Sequence, residues 1–477
     1  MNPSGIAFRK MAIALLFIAL GATACLMPMQ ADSYWHLRAG QDIWRTGAVP
    51  LCDTYSYTAA GRPWPNHEWL WQAVTYALFS AGGQPLLVLA SAAMAVGACA
   101  IIYRLMIGET TTRFVLMLLG TPLIAGVWAV RPQIATLLLL ATLLWLLMRE
   151  RYLWIPALFL LWANVHGAVA LGGLVLATAT VVAAFGVRRR FWTLLAVTAF
   201  SGLATVATPL GLRAWHLAGA TLATARATGI MEWQPAYPTT IAEAGFGVLA
   251  VGFVVLVARR WRAIATCATC ATCESCASWP DRVLLASSLV LLPLAIVAVR
   301  NIAPFVLVAM PASSRLLGEQ FRWPANRQSA DGRDHPRANL ILVMIFALVA
   351  VAGVGVAWAK PHPRLGWNPI RPEAARAIAG CPGQVFNRYN EGGFLIWFVR
   401  EKPVFVDSRY FPFPPEILAL ATGYDPDPRR EPAAALFARH GIRCAALPPE
   451  SQAAKHFAAA GWLREYGDDQ WLLLTRP

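Results

Sequence analysis

The sequence predicts a polytopic α-helical membrane protein of about eleven spans that ends in a small, water-soluble α/β domain. Three observations carry that expectation. Of 477 residues, 57% are hydrophobic and 14% are charged, against roughly a quarter charged in ordinary soluble domains. The apolar residues fall in runs close to the roughly 20 residues an α-helix needs to cross a bilayer. The basic residues gather in short loops between those runs. The formal charge of +15 therefore reads as a membrane-topology signal, and nucleic acid is not expected as a partner.

The eleven apolar runs are residues 11–29, 85–107, 114–130, 134–148, 153–163, 168–185, 191–207, 241–258, 283–299, 302–317 and 340–359. With the N-terminus in the cytoplasm, eighteen Lys and Arg residues lie at inner ends. They include Arg9, Lys10, Arg149, Arg151, the Arg188–Arg190 run, Arg259, Arg260 and Arg315. Only Arg38, Arg45, Arg62, Arg131, Arg213, Arg226 and Arg300 lie on the opposite side. The asymmetry sets the orientation, and an odd number of crossings places the C-terminal domain outside. The first run starts with positive charge and continues apolar, as signal peptides do. Ala22-Thr23-Ala24-Cys25 lacks the Leu of a lipoprotein site, so the run is expected to stay as an anchor.

The expected division is a helical bundle over residues 1–359, including an outer loop at 31–83, and an extracytoplasmic domain over 360–477. Within the loop, residues 67–83 carry Trp69, Leu70, Ala73, Tyr76 and Ala77 at helical spacing. That segment is too short to span and fits a helix lying in the interface. In the tail, residues 383–387, 394–399, 403–406, 444–447 and 471–475 read as strands, and 432–440 and 452–460 as helices.

Nine cysteines invite a metal or disulfide reading. Cys267, Cys270, Cys273 and Cys276 stand at three-residue spacing, which can bind zinc or an iron–sulfur cluster. The segment repeats Ala-Thr-Cys, however, and no His or separate Cys pair completes a zinc pattern. Only Cys52, Cys381 and Cys444 lie outside the spans and this repeat, so no disulfide framework is expected.

Candidate site residues lie in the outer regions. The first loop opens with Asp32-Ser33-Tyr34-Trp35-His36 and later reaches Asn66-His67-Glu68-Trp69. A carboxylate there can take a proton from an attacking hydroxyl, with Asp32 the leading candidate and His36, His67 and Glu68 beside it. Trp35 can stack on a sugar face or serve an interfacial belt. Among the short outer turns, Arg131 and Arg300 suit a phosphate, because a guanidinium matches its geometry, and His166 can orient or deprotonate a hydroxyl. Polar residues at span ends are functional candidates by default; ordinary helix termination is their alternative. In the tail, Asn387–Gly393 and Val406–Tyr410 place polar groups at strand ends, where α/β sheets hold ligands or simply turn. No metal ligand set stands out.

An N-terminal span, a large first outer loop opening on Asp32, an interfacial helix and a many-span bundle together resemble the GT-C class of membrane glycosyltransferases. Residues 32–37, 66–70, 162–167, 387–393 and 404–409 resemble a bacterial branch of that class. The resemblance implies an inverting transfer of a sugar from a polyprenyl-phosphate donor to a lipid or glycan acceptor, on the outer face of the bacterial inner membrane, with Asp32 as the catalytic acid. Two positions depart from the class. Ser33 stands where many members carry a second acid, and Arg131-Pro132-Gln133 stands where many carry an acid in the second outer loop. A metal-free mechanism is therefore expected, with a divalent metal still open. A non-catalytic assembly or transport protein for envelope polysaccharide is the alternative class.

Overall fold

The computed structural model describes residues 7–215, 231–268, 278–318, 335–360, 363–422 and 426–477. The side chains of the Cys267–Cys276 repeat lie outside the described residues. Internal packing divides the chain into two compact units, one of residues 1–27, 88–207 and 234–360, the other of residues 28–87, 208–233 and 361–477. The outer loop, grouped with the bundle from the sequence, packs with the tail.

The first unit is helical. It contains α1 (Phe8–Ala24), the C-terminal half of α3 (Trp69–Leu105), α4 (Thr110–Ala125), α5 (Pro132–Met148), α6 (Ile155–Val165), α7 (Val169–Ala184), α8 (Arg188–Ala204), α9 (Ile241–Ala268), α10 (Trp279–Val297), α11 (Ile302–Leu317) and α12 (Pro336–Ala359). Each of the eleven expected apolar runs overlaps one of these helices. Among the described residues, four helices are long and apolar enough to cross a membrane: Trp69–Leu105, Ile241–Arg260, Trp279–Val297 and Pro336–Ala359. The helix α12 has a mean hydropathy of 2.9 over its best window, and none of that window is buried. Its Ile341, Leu342, Ile345, Leu348 and Val349 face outward. So large an exposed apolar face is unstable in water and suits lipid. The chain is a multi-pass membrane protein.

Helix ends follow local chemistry. Pro132 opens α5, where its missing N–H is not needed. Ser278 and Asp281 cap α10 reciprocally, with Ser278 N donating to Asp281 Oδ2 at 3.0 Å. At the centre lies α11, buried from Ile302 to Ser314, against which α4, α9 and α10 pack. Gly120 of α4 lets the two backbones approach, since a Cβ there would overlap Met310.

In the second unit, α2 (Ala31–Thr46) starts on a Gln30/Ser33 capping box. The α3 helix is broken at Gly82 and Gly83, the latter at φ +62°, a conformation only glycine adopts readily. The break falls where the expected interfacial helix ends and the next span begins. The tail contributes α13 (Pro372–Ala379), α14 (Gly392–Phe398), α15 (Pro415–Thr422), α16 (Ala433–Arg439) and α17 (Gln452–Ala459). Its four strands are β1 (Gln384–Phe386), β2 (Ile442–Leu447), β3 (Leu463–Gly467) and β4 (Leu472–Thr475), in the order β1-β2-β4-β3. The β1–β2 pair is parallel and the others antiparallel. The sheet's side chains fill two apolar clusters, one around Phe386, Phe405 and Phe457, the other around Trp35, Val385 and Leu473.

Three expectations for the tail are corrected. Residues 394–399, expected as a strand, fall mostly in the helix α14. Its Phe394 and Phe398, four residues apart, both reach the ring of Tyr34 on α2 at 5.6 and 5.0 Å, a pairing only helical spacing permits. Residues 403–406 form no ladder; Val404 makes a single bridge to Ser56 of the loop. Contrary to the cysteine reading, Cys381 and Cys444 are joined in a disulfide, with Cα atoms 6.3 Å apart. The parallel pairing of β1 with β2 brings together two cysteines 63 residues apart.

The disulfide yields a prediction. A non-reducing peptide map of the purified protein should contain the Cys381–Cys444 cross-linked pair. Replacing both residues by Ser should lower stability by about 2–5 kcal/mol, read from thermal unfolding in detergent. Thiol labelling of both positions in the untreated protein would dismiss the bond.

Candidate functional site

The second unit gathers the first-loop candidates on two short stretches. Asp32 lies in the first turn of α2, where the exposed N–H groups and the helix dipole favour a carboxylate. Its Oδ1 accepts a hydrogen bond from the Ser408 hydroxyl and a longer one, at 3.4 Å, from the Trp35 indole. Trp35 Nε1 also donates to Ser408 Oγ at 3.0 Å. Asp32, Trp35 and Ser408 thus form a closed triangle in which indole and hydroxyl both turn a proton toward the carboxylate. Asp32 itself is half-buried.

Trp35 is buried rather than presented to solvent. Its ring packs on His36, with centroids 3.6 Å apart, and meets Trp64 edge-on at 6.0 Å. In this position it shapes the site through its N–H. One turn beyond Asp32, His36 points Nε2 toward Glu68 Oε2 at 3.7 Å, and His67 Nε2 stands 3.7 Å from the other Glu68 oxygen. Both separations exceed direct hydrogen-bonding length, a spacing at which a water commonly intervenes. Asn66 and Gln72 exchange two amide hydrogen bonds of 2.8 and 2.7 Å, which anchor this stretch to the start of α3. Asp32, Trp35, His36, His67 and Glu68 are therefore neighbours in space. Among the described residues, no three His, Cys, Asp or Glu side chains converge as a metal-binding set.

The tail motifs build the support beneath Ser408. The Asn387 side chain accepts from Phe405 N at 2.9 Å and donates to Val406 O at 2.7 Å, clamping that segment against the end of β1. Tyr389 donates to the Ser408 carbonyl at 3.0 Å. Gly392 and Gly393 allow close approach, because a Cβ would overlap the carbonyls of Val406 and Ala31 respectively.

The strongest interaction beside the triangle is ionic. Arg409 is fully buried and donates to Asp53 Oδ1 at 2.5 Å and to both Asp407 oxygens at 2.8 and 2.6 Å. Its guanidinium lies 4.8 Å from the Tyr55 ring centroid and 4.7 Å from that of Trp64. Asp53 also accepts from the amides of Tyr55 and Ser56 and from the Ser56 hydroxyl. Although burial works against its charge, Asp407 and Asp53 hold the guanidinium above its ordinary pKa. Burial also pushes the Asp407 carboxyl up, with Arg409 pulling the other way. The sequence places Ser408 and Arg409 in the polar Val406–Tyr410 stretch but joins them to neither Asp32 nor Asp53. Polar residues packed between two apolar stretches were the only signal.

The remaining candidates, Arg131, His166 and Arg300, belong to the first unit. Arg131 precedes α5 as its N-cap residue. His166 follows α6 and is buried, with Nδ1 2.7 Å from Thr136 Oγ1, which also accepts from Trp162 Nε1 at 3.0 Å. Asn164 donates to Leu160 O and Ala207 O. Residues 162–167 therefore tie α6 to its neighbours. Arg300 sits in the short 3-10 turn Val299–Asn301, where Val299 N donates to Gln234 O at 3.0 Å.

The Arg409 centre predicts a clear contrast. Arg409→Gln leaves Asp53 and Asp407 buried without their cation and should cost about 3–5 kcal/mol. Arg376→Gln, at an exposed pair with Glu373, should change stability by no more than about 0.5 kcal/mol. Thermal unfolding of the two detergent-purified variants measures both. Equal stability would remove the ionic centre from the account.

Neither a protein-family model nor a curated protein matches the chain. Eighteen solved chains do. The archaeal oligosaccharyltransferase AglB from Archaeoglobus fulgidus, in complex with an inhibitory peptide and a dolichol-phosphate, is 12% identical, with a TM-score of 0.52, covering 94% of this chain and 70% of its own. The apo form of the Archaeoglobus fulgidus oligosaccharyltransferase gives a TM-score of 0.58 at 12% identity, over 94% and 71%. ArnT from Cupriavidus metallidurans, bound to undecaprenyl phosphate, is 13% identical with a TM-score of 0.50, over 98% of this chain and 97% of that one. At such identities the likeness is one of architecture: this chain has the fold of the GT-C membrane glycosyltransferases.

Proposed function

We propose that the protein is a membrane glycosyltransferase that moves a sugar from a polyprenyl-phosphate donor to a cell-envelope acceptor on the outer face of the bacterial inner membrane. The observation that carries this reading is the Asp32 carboxylate, held at a helix start by the Ser408 hydroxyl and the Trp35 indole, on a fold shared with proteins solved with lipid phosphates. Eleven spans with an inner N-terminus form part of the proposal. The loop charge asymmetry supports them, and a disulfide in the tail suits an oxidising compartment.

In the proposed reaction Asp32 accepts the proton of the acceptor hydroxyl as that oxygen attacks the anomeric carbon. The carbon–oxygen bond to the phosphate breaks with inversion, and the lipid phosphate leaves as the anion. The Ser408 hydroxyl and the Trp35 N–H fix the carboxylate for the incoming hydroxyl. His36, His67 and Glu68 form a polar neighbourhood through which that proton passes onward. Arg131 and Arg300 are the proposed phosphate ligands, acting by charge and by paired N–H donors, and His166 the proposed orienting group. No step in this sequence requires a metal.

Asp32→Asn retains the side chain's shape and removes its basicity. Turnover of labelled polyprenyl-phosphate sugars should fall about 100-fold or more, with little change in donor binding. Arg131→Ala and Arg300→Ala should instead weaken donor binding in at least one case, read as a raised KM. A folded, inserted Asp32→Asn protein that fully supports its cellular role would favour the non-catalytic assembly reading.

A further inference from the structure

On α2, residues Arg38, Gln41, Asp42 and Arg45 follow the i, i+3, i+4, i+7 pattern of a single helix face. That face borders a hollow of about 410 Å³, completed by Trp44, by Tyr76 of α3 and by Arg400 just after α14. Asp32 lies six residues before Arg38, which amounts to about 9 Å of helix rise and leaves the two about 120° apart around the helix axis. The hollow is thus separate from the carboxylate triangle.

Charge in the hollow is unbalanced. Asp42 is its one lining carboxylate, and it is already shared by Arg38 at 3.3 Å, by Arg45 at 3.4 Å and by the Tyr55 hydroxyl at 2.8 Å. Among the described residues no carboxylate forms a direct ion pair with Arg400; its guanidinium lies 4.6 Å from the Trp397 ring centroid and donates from Nε to the Trp397 carbonyl. Partial burial and then the facing Arg38 push Arg400 below its ordinary pKa, and Asp42, Tyr76 and Glu401 only partly offset them. Like charges held together around a concavity are relieved by a bound anion.

The other lining groups describe what carries that anion. Trp44 is 63% exposed although its indole N–H is fixed to Ala73 O at 2.8 Å, so a rigid aromatic surface stands open to solvent. Gln41 Nε2 donates to the Tyr76 hydroxyl at 3.2 Å, leaving the amide oxygen to accept from hydroxyls and the phenol O–H to donate to them. Aromatic surface, neutral polar groups and one carboxylate beside excess guanidinium suit a polyhydroxylated ring bearing negative charge. A bare phosphate patch has no use for Asp42 or for Trp44. We infer that this hollow binds an anionic saccharide, a sugar carrying a carboxylate or phosphate, through Arg38, Arg45 and Arg400 with Trp44 as the stacking surface. Its role as the acceptor subsite rests on the transferase reading; the binding does not.

The test uses the full chain purified in detergent and titrated with tetragalacturonate, with maltotetraose as its neutral counterpart, with glucose 1-phosphate and with inorganic phosphate. Tetragalacturonate or glucose 1-phosphate should bind at least tenfold more tightly than both maltotetraose and inorganic phosphate, and the affinity should fall with added salt. Arg45→Gln and Arg400→Gln, each at an exposed position, should together weaken binding at least tenfold with thermal stability retained, and Trp44→Ala should weaken it independently. Asp32→Asn should bind as the unaltered protein does, whether or not it turns over, which separates this site from the catalytic proposal. Equal affinity for the neutral sugar, equal affinity for inorganic phosphate, or indifference to the three substitutions would overturn the inference. Binding confined to phosphatidylglycerol nanodiscs, with no saccharide bound, would overturn it as well and assign the hollow to a lipid headgroup.

Discussion

Taking a guanidinium wholly out of water costs several kcal/mol even after relaxation, and the cost is recovered only where nearly every donor finds a partner. Arg409 goes most of the way: Nε and Nη2 donate to two carboxylates and two aromatic rings stand close, while among the described residues Nη1 has no acceptor. A lysine could not replace it. A single ammonium cannot grip both Asp407 oxygens and Asp53 as the planar guanidinium does beside Tyr55 and Trp64. The consequence is geometric. Asp53 belongs to the first loop and Asp407 to the tail, so the pair sets the position of the segment that carries Ser408. Asp32 receives its hydrogen bond because Arg409, one residue further on, is held in place.

The same dependence explains the glycines and the amide clamp nearby. Asn387 satisfies the backbone of residues 405 and 406 where a ladder would otherwise have done so. Gly392 and Gly393 let α14 come close enough to α2 for Phe394 and Phe398 to share Tyr34. Tyr34 in turn donates to the carbonyls of Gly366 and Trp367. A short apolar helix, a loop and an N-terminal helix thereby enclose one carboxylate without any long run of regular sheet.

Lipid solvent made the bundle legible. A segment in a bilayer must satisfy its backbone within itself, so apolar run length alone located the helices, and Gly82-Gly83 marked the break in α3. The tail obeyed weaker rules. Residues 394–398 form an apolar run that suits strand or helix equally by composition, and packing on Tyr34 decided between them. The disulfide escaped notice because Cys381 and Cys444 meet only once β1 pairs with β2. Asp32, His36, His67 and Glu68 could be nominated from chemistry and local spacing. Ser408 and Arg409 stood within the nominated Val406–Tyr410 stretch, but their pairing with Asp32 and Asp53 could not be read, since those partners lie several hundred residues away and one sequence carries no record of such pairings.

That separation has a consequence for biosynthesis. Asp53 and Arg409 lie 356 residues apart, so at about 5–20 residues per second the ribosome needs on the order of 20–70 s between making one and making the other. For that interval the loop carries Asp53, Tyr55 and Trp64 without the cation that later covers them. The part of the chain that is translated early is completed late, and every nascent protein passes through a stage in which its most tightly buried ionic centre stands open to chaperones and proteases.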